Sequence, residues 1–314
     1  ACNESISFIK EVLFNPLIIN NKFDDKLVEI AKKGYLEDIK SIQENPNQYS
    51  VTMMRSLIAK ESLYAFSPYF YIDEINNIQN NDLVKTYFDI LNNSQVDISI
   101  IGDVDEKILQ KFDNLPIKAN KYNNSVYDLI NTNNKVEKVE EGKYSQSKVL
   151  AYQLKNLTET EKMYVSYIFS FILGGSSDSL LFKKLRQDNS LCYYADSNYN
   201  LFYQMIEINV GLESTNYDKA VSLIKVAIEE MKNGNITDDD IEKAKVTYVN
   251  AWKEIMDNPL SIINMYLSHE YYNLDLVDER IKKINQVKKE DVIILANKIE
   301  LKATYLLKGM NENE

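Results

Sequence analysis

The feature that most constrains the fold of this chain is an internal repeat. The segments FDDKLVE at 23–29 and TDDDIEK at 237–243 each open a charged amphipathic helix, and the helices close on ENP at 44–46 and DNP at 257–259. The two prolines are 213 positions apart. After each proline the pattern predicts a helix, an aromatic turn, a short helix and a strand that ends in glycine, at 96–102 and 303–309. Self-similarity of this kind predicts two copies of one structural unit, with coincidence among common helix signals as the alternative.

The two copies are unequal in length. The second has a leading section, roughly 143–235, with no counterpart before Asp24. The repeat therefore predicts that the first copy lacks on the order of 70 to 90 residues at its front. The Asn-rich, aperiodic stretch 118–138 indicates a linker. We predict a partial first domain at 1–120, a linker at 121–142 and a complete second domain at 143–314.

Hydrophobic periodicity gives the elements in outline. Helical spacing predicts helices at 24–43, 49–64, 82–91, 159–173, 179–186, 217–233, 238–256, 260–272 and 288–299. Alternation predicts strands at 96–102, 148–154, 191–200, 201–213 and 303–308.

Composition narrows the partners. The 314 residues are 45% hydrophobic and carry a formal net charge of −11, so nucleic acid is not expected as a partner, because phosphate binding needs clustered Lys and Arg. Basic or neutral peptides are compatible with this charge. No apolar run approaches the roughly 20 residues that span a bilayer, so we expect no membrane insertion. Two cysteines give no disulfide framework and fit a reducing compartment, which favours the cytoplasm.

One run carries candidate chemistry: residues 173–193 read LGGSSDSLLFKKLRQDNSLCY. The paired glycines end an apolar helix, a serine caps the next helix, and Arg186 stands at that helix's end. Tyr193 follows seven residues later on a strand. A guanidinium and a phenol joined by such a turn can donate hydrogen bonds to an oxyanion or a peptide carbonyl. Alternatively, Arg186 complements a helix C-terminus and Tyr193 covers the sheet.

This run resembles the second-domain signature of the pitrilysin/insulinase/mitochondrial-processing-peptidase family of zinc metallopeptidases. That signature has Leu-Gly-Gly, Ser-Ser, Leu-Phe and Leu-Arg, then Gly-Leu-x-Tyr with its Tyr seven after the Arg; Ser190 replaces the usual glycine. The resemblance implies an α+β fold: two homologous domains, each an antiparallel-dominated sheet with helices packed on one face, forming half of a clamshell. It also implies that Arg186 and Tyr193 orient substrate carbonyls at the zinc site of the other domain.

The zinc motif of the family is absent from this chain. The motif is His-x-x-Glu-His, and the chain has a single histidine, His269, which we expect to be a surface or interfacial residue. By resemblance Asp38 stands at the family's third-ligand position, or Glu37 if the alignment shifts by one. Asp is one methylene shorter than Glu, so a standard site is not expected. We predict no cofactor in this chain; zinc is implied by the family alone.

Two other chemistries are disfavoured. Residues 174–177, GGSS, follow a helix and lack the P-loop lysine, so a nucleotide site is not expected. Cys192 has no histidine nearby in sequence, which disfavours a cysteine peptidase.

Three functional hypotheses follow. The first is a partner subunit that binds no zinc itself, cleaves no peptide alone, and supplies Arg186 and Tyr193 to a peptide-hydrolysing complex. Its expected partner is a homologous subunit that bears the zinc motif, or a second copy of itself, together with a peptide substrate. The alternatives are a purely structural assembly protein on the same fold, and an active metallopeptidase whose zinc motif lies in the missing front.

Overall fold

The computed structural model describes residues 2–103, 105–112, 115–116, 130, 135–142, 147–212 and 216–309. The chain divides into two compact units that are interleaved along the sequence. Unit 1 comprises Ala1–Lys40, Pro68–Ser125 and Asn258–Tyr272, and unit 2 comprises Ser41–Ser67, Val126–Asp257 and Asn273–Glu314. The observed units therefore differ from the consecutive division predicted at 1–120 and 143–314. Whether they contain homologous domains stays a prediction.

Unit 2 is built on a five-stranded sheet in the order β1-β5-β2-β4-β3. Its strands are β1 (Val136–Gly142), β2 (Ser147–Leu154), β3 (Cys192–Asn200), β4 (Met205–Leu212) and β5 (Ile299–Gly309). Strand β1 pairs in parallel with β5, and the other neighbours pair antiparallel. The mixed α+β class and the dominance of antiparallel pairing are confirmed.

One face of this sheet carries the main core. Alternation along β4 directs Ile206, Ile208 and Val210 into a single cluster with the apolar helices, because successive side chains of a strand point to opposite faces. The helices of unit 2 are α3 (Pro46–Ala59), α6 (Ser166–Gly174), α7 (Tyr217–Lys232), α8 (Asp238–Glu254), α10 (Val277–Ile284) and α11 (Lys289–Ala296). All of them except α3 contribute to this core.

Helix α3 lies on the opposite face. It packs on β2 and β5, and its Arg55 reaches Glu207, which alternates with the core-facing residues of β4. The expectation of helices on one face is thus incomplete. The sheet has a helical layer on one face, and α3 with the short 3-10 helix Leu63–Ala65 on the other.

Unit 1 is helical in its described part. It contains α1 (Cys2–Phe14), α2 (Asp25–Glu44, which ends in unit 2), α4 (Ile72–Asn77), α5 (Asn80–Asn93) and α9 (Pro259–Tyr272). The buried hydrophobic side chains described in this unit are Ile6, Ile39, Val84 and Met265. Such a small core contrasts with the continuous cluster of unit 2.

The strand predicted at 96–102 is wrong for the described structure. The segment is not paired with any described strand, and Val96, Ile98 and Ile101 are exposed. A strand needs a hydrogen-bonded neighbour, and alternation in the sequence reports the pattern of side chains but not the presence of that neighbour.

Within the predicted linker at 121–142, residues 136–142 form β1. Most of the rest of that linker, 121–129 and 131–134, lies outside the described residues. The periodicity also missed α10. Among the described helices, none is long and apolar enough to cross a membrane.

Candidate functional site

Arg186 is held by a wide helical turn before β3. Residues Phe182–Gln187 form a π-helical turn in which the Asp188 N–H donates to the Lys183 carbonyl at 2.9 Å. Leu185 is buried in the core, and this anchor leaves Arg186 on the exposed side. The guanidinium lies 5.3 Å from the Phe182 ring centroid, within the range of a cation–π contact.

Ser190 occupies a position that favours glycine. Its φ is +52°, in the left-handed region that costs an L-residue roughly 1–2 kcal/mol. The turn is closed by two backbone hydrogen bonds, from Ser190 N–H to the Arg186 carbonyl at 3.1 Å and from Leu191 N–H to the Leu185 carbonyl at 2.7 Å. This geometry explains why the resembled signature has glycine here. Serine keeps the same turn at an energetic cost.

Tyr193 lies at a bulge on an edge strand. Cys192 pairs with Leu212 and Tyr194 pairs with Gly211, so Tyr193 is an extra residue in β3. Its side chain is 66% exposed. Bulges of this kind re-aim a side chain and are enriched beside active sites.

Arg186 and Tyr193 are joined directly. The Arg186 Nη1 donates to the Tyr193 carbonyl oxygen at 2.6 Å. This contact uses one of the five N–H donors of the guanidinium, so others can serve a ligand. The structure therefore brings the predicted pair together at an exposed turn, and the same contact also gives Arg186 a local structural role.

The glycines before this turn have a packing reason. A Cβ at Gly174 would lie 2.7 Å from the Ser197 Cβ and 2.8 Å from the Asp196 carbonyl carbon. Helix α6 can therefore approach β3 only with glycine at this position. Ser170 completes the contact through a 3.0 Å hydrogen bond to the Ser197 carbonyl.

Electrostatics argue against a thiolate at this site. Burial raises the pKa of the Cys192 thiol, and the charge of Arg186 opposes this effect only in part. The nucleophilic form is the thiolate, so Cys192 is poorly suited to covalent catalysis. Burial also raises the pKa of Asp196. Hydrogen bonds from Asn209 at 2.8 Å and from Asn198 at 2.6 Å lower this pKa, but they do not cancel the effect of burial.

Sequence reasoning missed a polar network on the same sheet. Glu207 is buried and accepts hydrogen bonds from Arg55 Nε and Nη2, each at 2.7 Å, and from the Tyr64 hydroxyl at 2.6 Å. The proximity of Glu207 and the loss of solvent raise the Tyr64 pKa, with burial as the larger cause. An acidic residue within the apolar alternation of β4 was the available signal. Its partners lie more than 140 positions away.

The candidate metal ligands do not form a metal site in the described structure. Glu37 and Asp38 lie on exposed turns of α2, where the Glu37 carboxylate is 3.9 Å from the ammonium of Lys33. His269 lies on α9. No three His, Cys, Asp or Glu side chains within the described ranges are grouped so as to hold a metal ion. The donors present therefore do not fit the zinc that the resemblance implies.

The sheet with its helical layer, the glycine-paired turn and the exposed Arg–Tyr pair are features that the resemblance to zinc metallopeptidases implies, and the described residues contain no group of metal ligands. Residues 77–248 match the model of the Peptidase M16 inactive domain, and this chain belongs to that family. The resemblance to the pitrilysin-type peptidases is confirmed.

Similar proteins and solved structures agree with this family assignment. The chain is 26% identical over 311 residues to the "Probable inactive metalloprotease YmfF" of Bacillus subtilis (strain 168), covering 98% of this chain and 73% of that protein. A conserved protein from Enterococcus faecalis V583 superposes with a TM-score of 0.91 at 25% identity, over 100% of this chain and 75% of that one. Pitrilysin shares the fold, with a TM-score of 0.70 at 11% identity over 93% of this chain and 32% of its own.

Proposed function

We propose that this chain is the subunit of a peptide-hydrolysing complex that binds no zinc and supplies Arg186 and Tyr193 to substrate held at a homologous subunit. The observation that carries the proposal is the exposed Arg186–Tyr193 pair, with Tyr193 set outward by a bulge at the start of an edge strand. A purely local role would not require a large phenol to stay 66% exposed.

The chemistry asked of the pair is positioning and charge stabilisation. Attack on a peptide carbonyl places negative charge on its oxygen, and preorganised donors stabilise that charge most where water is excluded. Arg186 offers several N–H donors in a planar fork, and Tyr193 offers one hydroxyl. In this proposal the partner's zinc motif would hold the metal and supply the Lewis-acid chemistry, and this chain contributes donors to the substrate oxygen.

The domain organisation is also part of this proposal. The repeat and the open apolar surface of unit 1 support a first domain that is incomplete in the described residues. The partner in the proposal is a homologous chain with the His-x-x-Glu-His motif, or a second copy of this chain. Peptides with basic or neutral character suit the net charge of −11.

The test pairs this protein with a zinc-motif subunit of the same family from the same cell. We expect Arg186→Ala and Tyr193→Phe each to reduce peptide hydrolysis by the complex about 10²–10³-fold, the usual effect of losing one oxyanion donor. Lys183→Ala, which removes an exposed charge from the same turn, and Tyr266→Phe on α9 serve as matched controls and should leave hydrolysis unchanged.

Two outcomes would overturn the proposal. If both site variants hydrolyse peptide as fast as the unsubstituted complex, the pair is structural and the assembly-protein alternative takes its place. If this chain on its own cleaves peptide in a chelator-sensitive way, it is an active metallopeptidase.

A further inference from the structure

The register of β3 against β4 shows what sets the direction of Tyr193. Cys192 stands opposite Leu212 and contacts the core, while Tyr194 stands opposite Gly211. Without the extra residue, alternation would place Tyr193 opposite Gly211 and would turn Tyr194 toward the core. Because of the bulge, Tyr194 instead of Tyr193 lies opposite Gly211.

The Tyr194 ring has room opposite residue 211 because Gly211 has no side chain. A Cβ built on Gly211 would lie 2.7 Å from Cδ1 and 2.8 Å from Cζ of the Tyr194 ring. These separations are well inside van der Waals contact, so the ring fills the space that any other residue would need. An aromatic side chain that covers a cross-strand glycine is a known way to stabilise a sheet and to pin its register.

We infer that Gly211 is a positioning residue for Tyr193. By accepting the ring of Tyr194 it fixes the bulge, and the fixed bulge keeps Tyr193 outward, with its carbonyl 2.6 Å from the Arg186 guanidinium. The functional part of this inference rests on the proposed function, since it concerns the tyrosine that is to meet substrate. The structural part does not.

Hydrogen exchange of the whole chain tests the structural part. Gly211→Ala should force the Tyr194 ring off β4 and speed amide exchange across residues 190–195 about tenfold or more, because overpacking at a close contact is relieved by local opening. Tyr194→Ala should speed exchange across the same residues to a similar extent, because it removes the ring that fixes the bulge. Tyr194→Phe should leave exchange slow, because it keeps the ring.

Gly34→Ala is the matched control, since a Cβ there meets nothing within 4 Å. It should leave exchange across 190–195 unchanged. The inference is overturned if Gly211→Ala exchanges like the unsubstituted chain, or if Tyr194→Ala exchanges as slowly as Tyr194→Phe. Should Gly211→Ala fail to fold, the comparison of Tyr194→Ala with Tyr194→Phe still decides the matter.

Peptide hydrolysis by the complex tests the functional part. Gly211→Ala and Tyr194→Ala should each lower kcat about as much as Tyr193→Phe with little change in KM, and Tyr194→Phe should keep most of the activity. If Tyr193→Phe itself has no effect, the proposed function fails while the exchange result still stands. If Tyr193→Phe lowers kcat and Gly211→Ala does not, the positioning role is wrong and the proposed function survives.

Discussion

Units 1 and 2 differ greatly in how much of their apolar surface is buried. In unit 2 the sheet and its helices close around one continuous core. In unit 1 the described helices leave large apolar side chains in solvent, among them Leu27 at 63% and Leu17 at 75% exposure. Two apolar grooves of about 580 and 440 Å³ lie in this unit. Exposed apolar patches of this kind are typical of interaction surfaces and ligand-binding grooves.

Positions that the repeat predicts to be equivalent differ in burial between the two units. Counted over the 213-residue spacing of the two prolines, Ala31 and Tyr35 of α2 correspond to Ala244 and Tyr248 of α8. The first two are exposed, whereas Ala244 is fully buried and Tyr248 packs against the aromatic side chains of α6. Among the described residues, this helical pattern is buried in unit 2, where α6 packs against it, and exposed in unit 1. The sequence specifies which face of the helix is apolar, and the neighbouring element determines whether that face is buried.

Helices α3 and α9 carry the clearest mark of the repeat. Each is 14 residues long and begins at a proline after an asparagine. Asn45 Oδ1 accepts from the Gln48 N–H at 3.1 Å, and Asn258 Oδ1 accepts from the Ser261 N–H at 3.0 Å. Helix α3 belongs to unit 2 and α9 belongs to unit 1. These parallels argue for the repeat, which stays a prediction.

The largest expected difference between the units is in the cost of truncating an apolar side chain. Phe169→Ala, in the fully buried core face of α6, should lower the free energy of unfolding by about 3–5 kcal/mol. Leu27→Ala in unit 1 should change it by less than about 0.5 kcal/mol. Urea unfolding of the two variants measures both. A Leu27→Ala cost equal to that of Phe169→Ala would break the comparison, because it would mean that α2 is covered in solution.

A second pair of variants compares ion pairs. Arg55→Met leaves the buried Glu207 carboxylate without its bidentate partner and should cost about 3 kcal/mol, as for breaking a buried pair. Lys33→Met removes an exposed pair with Glu37 in unit 1 and should cost less than about 0.5 kcal/mol. If both variants lose a similar free energy of unfolding, the buried pair of Arg55 and Glu207 stabilises the fold no more than an exposed ion pair does.

The sequence could predict much of unit 2 because helices α7 and α8 bury one face each at helical spacing, and strands β2 and β4 are short runs rich in apolar residues. Strand β1 was missed because VEKVEEG is mostly polar, as an exposed edge strand can be. Within the site, the seven-residue spacing located Arg186 and Tyr193. The bulge was not predictable, because it depends on the fit of Tyr194 against Gly211 on a different strand.

The third prediction concerns a buried lysine in unit 2. Lys148 is fully buried, with its Nζ 3.5 Å from the Tyr217 ring centroid and no hydrogen-bond partner among the described residues. Burial lowers the Lys148 pKa from 10.5 to about 7, chiefly through desolvation. Between these values the unfolded chain binds a proton that the folded chain does not. Stability should therefore rise with pH across this window, by up to about 1.4 kcal/mol per pH unit.

Lys148→Met isolates this effect. The variant should be more stable than the unsubstituted chain near pH 7, and its stability curve between pH 7 and 10.5 should lose the slope. Lys26→Met, at an exposed position of α2, should keep it. An unchanged slope in Lys148→Met would show that its ammonium is solvated in solution.

The smallest effects are gains, one in each unit. Ser190→Gly relieves the left-handed conformation in unit 2 and should stabilise by about 0.5–1 kcal/mol after the entropic cost of glycine. Gly34→Ala, inside α2 with open space around it, should stabilise by a similar amount, about 0.5–1 kcal/mol. Thermal unfolding detects both gains. A loss in Ser190→Gly would mean that the serine side chain contributes a contact worth more than the strain.

The most direct measurement of the central claim is a titration. The purified chain is first analysed for metal and for peptide hydrolysis, and is then added in steps to a fixed amount of a homologous subunit with the zinc motif. We expect less than stoichiometric zinc and no chelator-sensitive hydrolysis by the chain alone, and hydrolysis that rises to a plateau near one chain per zinc subunit. About one zinc per chain with chelator-sensitive activity, or a partner whose hydrolysis does not respond to saturating amounts of this chain, would contradict the account.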